Sequence, residues 1–167
     1  MQDATLPSSA REVQKYLEAR GLDWRIVMLP SIAATAQDAA SALGTDVERI
    51  GKTVVFGTST ETVAVLVSGS HRVDTTRLRD VLSGTRLGDP TADLKPLRAS
   101  EVKERTSFSI GGVSPFALPP SCLVVLDEFL ARLDHCFVSA GHPHAVCRVV
   151  PSMLPEIVGA IRGPVSS

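Results

Sequence analysis

A lysine at the start of an apolar run is the first residue in this chain that could do chemistry. Lys52 precedes the β-branched run 53–56. A lysine there either turns its ammonium group to solvent or holds an anionic or carbonyl group inside a pocket. The triplet Gly51-Lys52-Thr53 is not a phosphate-binding P-loop, because Asp46 stands where that motif needs its first glycine. Both interpretations of Lys52 therefore stay open.

A second candidate is a glycine-rich loop that lies between two predicted elements. Its residues are Gly111, Gly112, Val113, Ser114, Pro115 and Phe116. Paired glycines permit positive φ and let a ligand approach the backbone closely, while the proline restricts the exit of the turn. Successive N–H groups in such a loop can line a hollow for an anion or an oxyanion. A purely structural turn is the alternative, and we favour a site.

Two histidines flank a proline in His142-Pro143-His144, with His135, Cys136 and Cys147 near in sequence. A metal site is conceivable, but no tight pair of cysteines anchors it. A histidine beside a substrate pocket and a solvated turn are the other two interpretations. We predict no bound metal and no cofactor.

Asp127 closes a predicted strand, and we expect it either to cap the short helix that follows or to serve as a site carboxylate. The serines Ser70, Ser114 and Ser139 lack the G-x-S-x-G elbow of serine hydrolases, so a catalytic triad is not supported.

Length and composition predict one globular domain over residues 1–167. Hydrophobic residues make up 44% and charged residues 21%, which is the usual balance of a folded protein. The formal net charge of −1 argues against a protein that coats nucleic acid along its length, because the affinity of such proteins rests on many neutralised phosphates. A small local basic site that touches one nucleic-acid end stays compatible with it.

The chain shows no sign of secretion or membrane insertion. The N-terminus has no basic cluster followed by an apolar stretch, and the apolar runs 62–67 and 122–126 fall far short of the ~20 residues that span a bilayer. Three cysteines without a C-x-x-C pair fit reduced, buried thiols. We therefore expect a cytoplasmic protein without membrane contact.

Hydrophobic periodicity and capping residues predict about five helices and six strands. The helices start at Ser8 or Ser9, Thr35, Asp74, Ser100 and Ser152, the last one running to Arg162. The strands cover 24–29, 52–56, 61–68, 122–126, 136–140 and 145–150. Because strands and helices do not strictly alternate, the fold class is α+β, a single domain with a mixed, mostly antiparallel, curved sheet and flanking helices.

Lys52, the loop 111–116 and the segment 137–141 (Phe-Val-Ser-Ala-Gly) together resemble the YbaK/ProX family of aminoacyl-tRNA deacylases, which includes the editing domain of bacterial prolyl-tRNA synthetases. The resemblance runs from about residue 29 to the C-terminus. It implies a curved, mostly antiparallel sheet and hydrolysis of the ester that joins a wrong amino acid to tRNA.

The resemblance also implies roles for individual residues. Lys52 matches a site lysine that engages the terminal adenosine or the acyl end. Gly111, Gly112, Val113 and Ser114 match the loop that encloses the aminoacyl group, and Phe116 is expected to bind the substrate next to them. Gly141 and His142 lie where the family closes its pocket, and Asp127 falls near an acidic position. The 3′ CCA end of a misacylated tRNA would then be gripped by Lys52, His71, Arg72 and Arg77.

Two departures bear on the substrate rather than on the class. The family often has glycine after the phenylalanine of the loop, where this chain has Ala117, and basic residues after the Ser-Ala-Gly segment, where it has His142-Pro143-His144. The expected activity is trans-editing, with Cys- or Ala-tRNA(Pro) as the specific substrate and a synthetase as a potential partner. Water, the tRNA 2′-hydroxyl or a substrate thiol could attack the ester. The rivals are a non-catalytic paralogue that binds an aminoacyl-tRNA end or a synthetase, and a metal-dependent hydrolase that uses His142 and His144.

Overall fold

The computed structural model describes residues 6–31, 33–89 and 92–167. Its helices are α1 (Ser8–Ala19), α2 (Ala36–Leu43), α3 (Thr75–Val81), α4 (Ala99–Thr106), α5 (Glu128–Ala131) and α6 (Leu154–Val158). Its strands are β1 (Ile26–Met28), β2 (Gly51–Gly57), β3 (Thr62–Ser68), β4 (Lys95–Pro96), β5 (Cys122–Asp127), β6 (Cys136–His142), β7 (Ala145–Val149) and β8 (Ile161–Gly163).

The strands form two sheets. A five-stranded sheet has the order β4-β2-β3-β5-β8, in which β4, β2 and β3 are antiparallel and β3, β5 and β8 are parallel. A three-stranded antiparallel sheet has the order β1-β7-β6. A bridge between Ile50 and Phe137 connects the two sheets. The predicted α+β class with a mixed sheet is confirmed, although the sheet is divided into two.

Helix α1 covers the three-stranded sheet because its apolar residues recur at helical spacing. Ala10, Val13 and Leu17 are fully buried and belong to the same core cluster as Val138 and Ala140 of β6. The central strand β3 is buried along almost its whole length, as expected of a strand with neighbours on both sides and helices on its faces.

The predicted caps of α2 and α3 are correct, whereas those of α1 and α6 are wrong, since α6 begins after Met153 without a side-chain cap and Ser152 does not cap it. Thr35 and Asp38 form the predicted capping box of α2, and the Asp74 carboxylate accepts a hydrogen bond from the Arg77 amide at the start of α3. Helix α1 instead begins after Pro7 without a side-chain cap, so neither Ser8 nor Ser9 caps it.

The predicted last helix is too long. It ends at Val158, followed by Gly159 at φ +69, and Ile161–Gly163 turns into β8, which pairs with β5. A left-handed glycine ends a helix, and the three-residue strand exists only because β5 offers an edge to pair with. The two-residue strand β4 was missed for the same reason.

The remaining expectations concern cysteines and membrane contact. Cys122, Cys136 and Cys147 are buried and free, as predicted. Within the described residues, no helix has both the length and the apolar character that crossing a membrane requires.

Candidate active site

A cavity of about 220 Å³ lies between the two sheets. The start of β2 forms one wall, and β6 and β7 form the other. Within the described residues β4 pairs with β2 only at Phe56 and Gly57, at the far end of the strand, so the start of β2 is left open to the cavity. The remaining walls come from the beginning of α2 and from the glycine loop. The residues that line the cavity include Ala36, Lys52, Thr53, Gly111, Val113 and Pro143.

Lys52 lies on the cavity wall and is partly buried. Its ammonium group makes no hydrogen bond or ion pair with any described residue. Burial lowers the pKa of its ammonium group, and the positive charge of Arg72 lowers this pKa further. A partly desolvated cation without a partner is suited to hold an anionic or carbonyl oxygen of a ligand.

Thr53 was not identified by the sequence reasoning. Its hydroxyl oxygen Oγ1 is buried and is without a hydrogen-bond partner in the described part of the chain, while the residue lines the cavity. A buried polar atom without a partner costs free energy. Strand alternation predicts opposite faces for Lys52 and Thr53. Both residues nevertheless line the cavity.

The glycine loop supplies backbone to the same cavity. Gly111, at φ +85, and Val113 both line it, and neither makes a hydrogen bond within the described residues. The amide of Gly112 is occupied, because it donates to the Ser109 carbonyl at 2.8 Å. The expected row of successive free N–H groups is therefore interrupted at Gly112.

Gly112 packs the loop against the turn between β6 and β7. A Cβ atom at Gly112 would lie 2.8 Å from the Pro143 nitrogen and 2.9 Å from the His142 carbonyl carbon. Only glycine allows this approach. Gly141, in contrast, faces α1, since its Cβ would lie 2.7 Å from the Ser9 carbonyl oxygen.

Ser114 and Phe116 anchor the loop rather than line the cavity. The Ser114 hydroxyl accepts a hydrogen bond from the Phe116 amide at 3.1 Å, and both residues are fully buried. The Phe116 ring packs between Tyr16 and Trp24, with centroids 5.9 and 6.1 Å away. These contacts fix the loop to the core below the cavity.

The histidine turn borders the cavity through its proline. The His142 Nδ1 accepts a hydrogen bond from the His144 amide at 3.1 Å, which stabilises the turn, and Pro143 lines the cavity. In the described ranges, no three His, Cys, Asp or Glu side chains come together in a way that could hold a metal ion.

Asp127 lies outside the cavity and does not cap α5. The helix starts directly after it without a side-chain cap, and its carboxylate instead accepts hydrogen bonds from Val165 and Ser166. His71 and Arg72 lie in the turn after β3, outside the lining residues. Of the predicted site residues, the structure thus brings Lys52 and the glycine loop together.

The sequence model of the aminoacyl-tRNA editing domain matches residues 31–157. The chain belongs to this family. The resemblance seen in the sequence is confirmed. The editing domain is 30% identical over 125 residues to the uncharacterized protein YwhH of Bacillus subtilis, covering 74% of each chain. It is 32% identical over 107 residues to a proline–tRNA ligase of Caldicellulosiruptor bescii, covering 64% of this chain and 17% of the ligase.

A solved structure shows the same architecture along the whole domain. It is that of a candidate trans-editing enzyme for prolyl-tRNA synthetase. Its sequence is 32% identical, its TM-score is 0.86, and the match covers 97% of this chain and 99% of that chain. The single editing domain with its five-stranded mixed sheet is therefore shared with a relative, and it positions the cavity described above.

Proposed function

We propose that this editing domain is an aminoacyl-tRNA deacylase, which hydrolyses the ester between a wrongly attached amino acid and the 3′ end of a tRNA. One observation carries the proposal. Lys52, Gly111 and Val113 line one small cavity, and within the described residues neither the ammonium group of Lys52 nor the amides of Gly111 and Val113 make a hydrogen bond. Such donors suit a carbonyl oxygen that becomes negatively charged during the reaction.

The cavity supports a small acyl group. Its volume of about 220 Å³ corresponds to about seven water molecules at ~30 Å³ each. The alanines at the start of α2 and Ala145 of β7 contribute short apolar side chains to its wall. Most of the wall is apolar, so we expect Lys52 and the glycine loop to orient the ester.

In the proposed reaction a nucleophile adds to the ester carbonyl carbon and gives up its proton, and the carbonyl oxygen becomes an oxyanion beside the loop and Lys52. The C–O bond to the ribose then breaks, and the ribose oxygen takes up a proton. The products of attack by water are the free amino acid and an intact tRNA 3′ end. A substrate thiol is an alternative nucleophile, which would release the amino acid as a cyclic thioester. Attack by the tRNA 2′-hydroxyl would move the acyl group to the neighbouring ribose oxygen, and water must then cleave the new ester. Because the ester is already activated, positioning and oxyanion stabilisation carry most of the catalysis.

For the substrate we propose Cys- or Ala-tRNA(Pro), edited in trans in the cytoplasm, with a synthetase as the potential partner. The similarity to a candidate trans-editing enzyme for prolyl-tRNA synthetase and to part of a proline–tRNA ligase supports this choice. The size of the cavity supports a small side chain. One methylene changes binding by only about 1–3 kcal/mol, so the walls must discriminate between close relatives.

The test is hydrolysis of a panel of Cys-, Ala-, Ser-, Thr- and Pro-tRNAs by the wild-type protein and by Lys52→Ala. We expect selective hydrolysis of one small acyl group and a loss of about 10²–10³-fold in Lys52→Ala, comparable to removal of one oxyanion donor. Lys103→Ala, on the exposed side of α4, is the matched control and should retain full activity. A thermal melt checks folding. Full activity of folded Lys52→Ala would contradict the assigned site. Binding without hydrolysis of any substrate would favour the non-catalytic paralogue.

A further inference from the structure

An exposed arginine of β7 lies on the face of the three-stranded sheet that forms a wall of the cavity. Cys147 and Val149 belong to the core cluster under α1, whereas Val146 lines the cavity on the opposite face. Side chains two positions apart in a strand share a face. Arg148, two positions after Val146, therefore lies on the cavity side of the sheet, and it is exposed.

The strand register places Arg148 directly beside the cavity wall. It pairs with Phe137 of β6, and Phe137 lines the cavity. Residues opposite each other in an antiparallel pair share a face, and neighbouring strands lie about 5 Å apart. Arg148 is thus the first residue of this sheet face beyond the cavity in two directions, across from Phe137 and along β7 from Val146.

A second arginine lies on the other side of Arg148. Ile26 of β1 pairs with Cys147, so the antiparallel register places Arg25, which directly precedes β1, opposite Arg148. Ile26 is buried in the cluster under α1, and the exposed Arg25 alternates to the cavity side of the sheet. Arg25 and Arg148 are called the arginine pair below.

The arginine pair is not neutralised within the described part of the chain. Neither guanidinium group makes a hydrogen bond or an ion pair there, and Asp23, two positions before Arg25, forms no ion pair with it. Asp134, just before β6, is bound by Arg49 at 2.7 Å. Like charges directly opposite each other destabilise a sheet. The arginine pair therefore opposes the pairing of β1 with β7, and bound anions would relieve the repulsion.

The surface between the arginine pair and the cavity is apolar. Val27 of β1 pairs with Val146, which lines the cavity, and Val27 is 43% exposed. A strip of this kind suits a single nucleic-acid strand, because such strands are held by positive charge along the backbone together with contacts to rings and sugars. Two cations also agree with the net charge of −1, since they bind one end of a nucleic acid rather than a long stretch.

We propose that the arginine pair binds two successive phosphates of the RNA strand whose 3′ end enters the cavity. The inference rests on the proposed function, since that function places the tRNA end there. Arginine suits this task because its planar guanidinium group presents paired N–H donors to phosphate oxygens. The RNA backbone then leaves the cavity over β7 and β1 of the three-stranded sheet. This path differs from the one that the family resemblance implies through His71 and Arg72, which lie in the turn after β3.

The first test measures the repulsion without any RNA. Urea unfolding of the wild-type protein, Arg25→Gln, Arg148→Gln and the double variant is compared at about 10 mM and about 1 M salt, where charges are screened beyond about 30 Å and about 3 Å. We expect each single variant to raise the urea midpoint at low salt and the second substitution to add nothing. This coupling should disappear at high salt. Independent effects of the two substitutions at low salt would show that the two guanidinium groups do not face each other, and would overturn the arginine pair.

The second test measures the affinity of a hairpin RNA with a single-stranded ACCA 3′ end over a range of salt concentrations. We expect Arg25→Gln and Arg148→Gln each to weaken binding and to reduce the slope of log affinity against log salt by about 0.7, as for one single-strand phosphate. Arg148→Lys keeps the charge and should keep the slope. Lys15→Gln is the matched control, because Lys15 is exposed on α1 at the opposite face of the same sheet, and it should change neither quantity.

A hairpin without the ACCA end distinguishes the proposed path from a general attraction to phosphate. We expect the arginine substitutions to leave its salt slope unchanged. Equal losses of slope for both hairpins, or no loss for the hairpin with the ACCA end, would overturn the proposal. Because neither RNA carries an amino acid, this result is independent of ester hydrolysis. Arginine-dependent binding of the ACCA end by a protein that hydrolyses no ester would refute the proposed function and support the proposed path of the RNA.

Discussion

Replacing Gly112 by alanine tests whether the contact between the glycine loop and the histidine turn sets the geometry of the site. A Cβ at this position would lie 2.8 Å from the Pro143 nitrogen, 2.9 Å from the His142 carbonyl carbon and 2.9 Å from the Pro143 Cδ. All three atoms belong to backbone or to a proline ring, so no flexible side chain can move aside. The loop and the turn must therefore separate.

The size of this separation follows from the distances. Ordinary contacts of a Cβ begin at 3.4 Å, so the loop has to shift by at least about 0.6 Å. A misplacement of 1 Å can cost about 10²-fold in rate, and a shift of about half that size should cost about tenfold in kcat/KM. The overpacking should also lower the free energy of unfolding by about 1–3 kcal/mol.

The assay is single-turnover deacylation of the substrate that the panel identifies, together with urea unfolding. The matched control is Gly57→Ala, whose Cβ would lie 2.6 Å from the Glu61 carbonyl oxygen at the end of β2 away from the cavity. It should destabilise the domain to a similar degree and leave the rate within twofold. If Gly112→Ala is destabilised but hydrolyses the ester at the wild-type rate, the position of the loop does not control the chemistry.

Three further predictions concern charge, backbone strain and thiols. Because burial and Arg72 lower the pKa of Lys52, the deacylation rate should fall as pH rises through that lowered pKa. Arg72→Gln should move this fall in rate to higher pH, and an unchanged pH profile would contradict the repulsion between Arg72 and Lys52. Ala117 has φ +62, which costs about 1–2 kcal/mol for a non-glycine residue. Relieving this strain in Ala117→Gly stabilises the native state, while the greater entropy of glycine in the unfolded state takes back about 0.4–1 kcal/mol. The free energy of unfolding should therefore rise by about 0.5–1 kcal/mol, and a lower urea midpoint would refute this. Burial raises the pKa of Cys136 and of Cys147 to about 12, so iodoacetamide at pH 8 should label them only after urea unfolding; rapid labelling of the native protein would show that they are accessible.

The family and the chemical candidates were recognisable from local sequence. The loop 111–116 and Lys52 are short motifs whose residue types report backbone freedom and charge directly, and the family comparison confirms the resemblance they suggested. The departure at Ala117 also has a structural consequence, because that position adopts the left-handed conformation that favours glycine. Capping at Thr35 and Asp74 was equally local, since each cap involves residues three positions apart.

Residues whose role depends on distant neighbours were the ones that sequence reasoning missed or misassigned. Thr53 lines the cavity at the start of β2, a part of the strand with which β4 does not pair. Phe116 looked like a pocket residue, but Tyr16 and Trp24 of the N-terminal region hold its ring in the core. Asp127 had the position of a helix cap, and its partner Ser166 is 39 residues away.

The sequence by itself therefore determined the family, the α+β class, most of the secondary structure and the glycine-rich loop, because these depend on residue types within a few positions of one another. Only the tertiary structure decided how the two sheets divide, that the cavity lies between β2 and β6, and that Asp127 binds Ser166. Burial and hydrogen-bond satisfaction select such pairings from the whole folded chain, and spacing along the sequence does not reveal them.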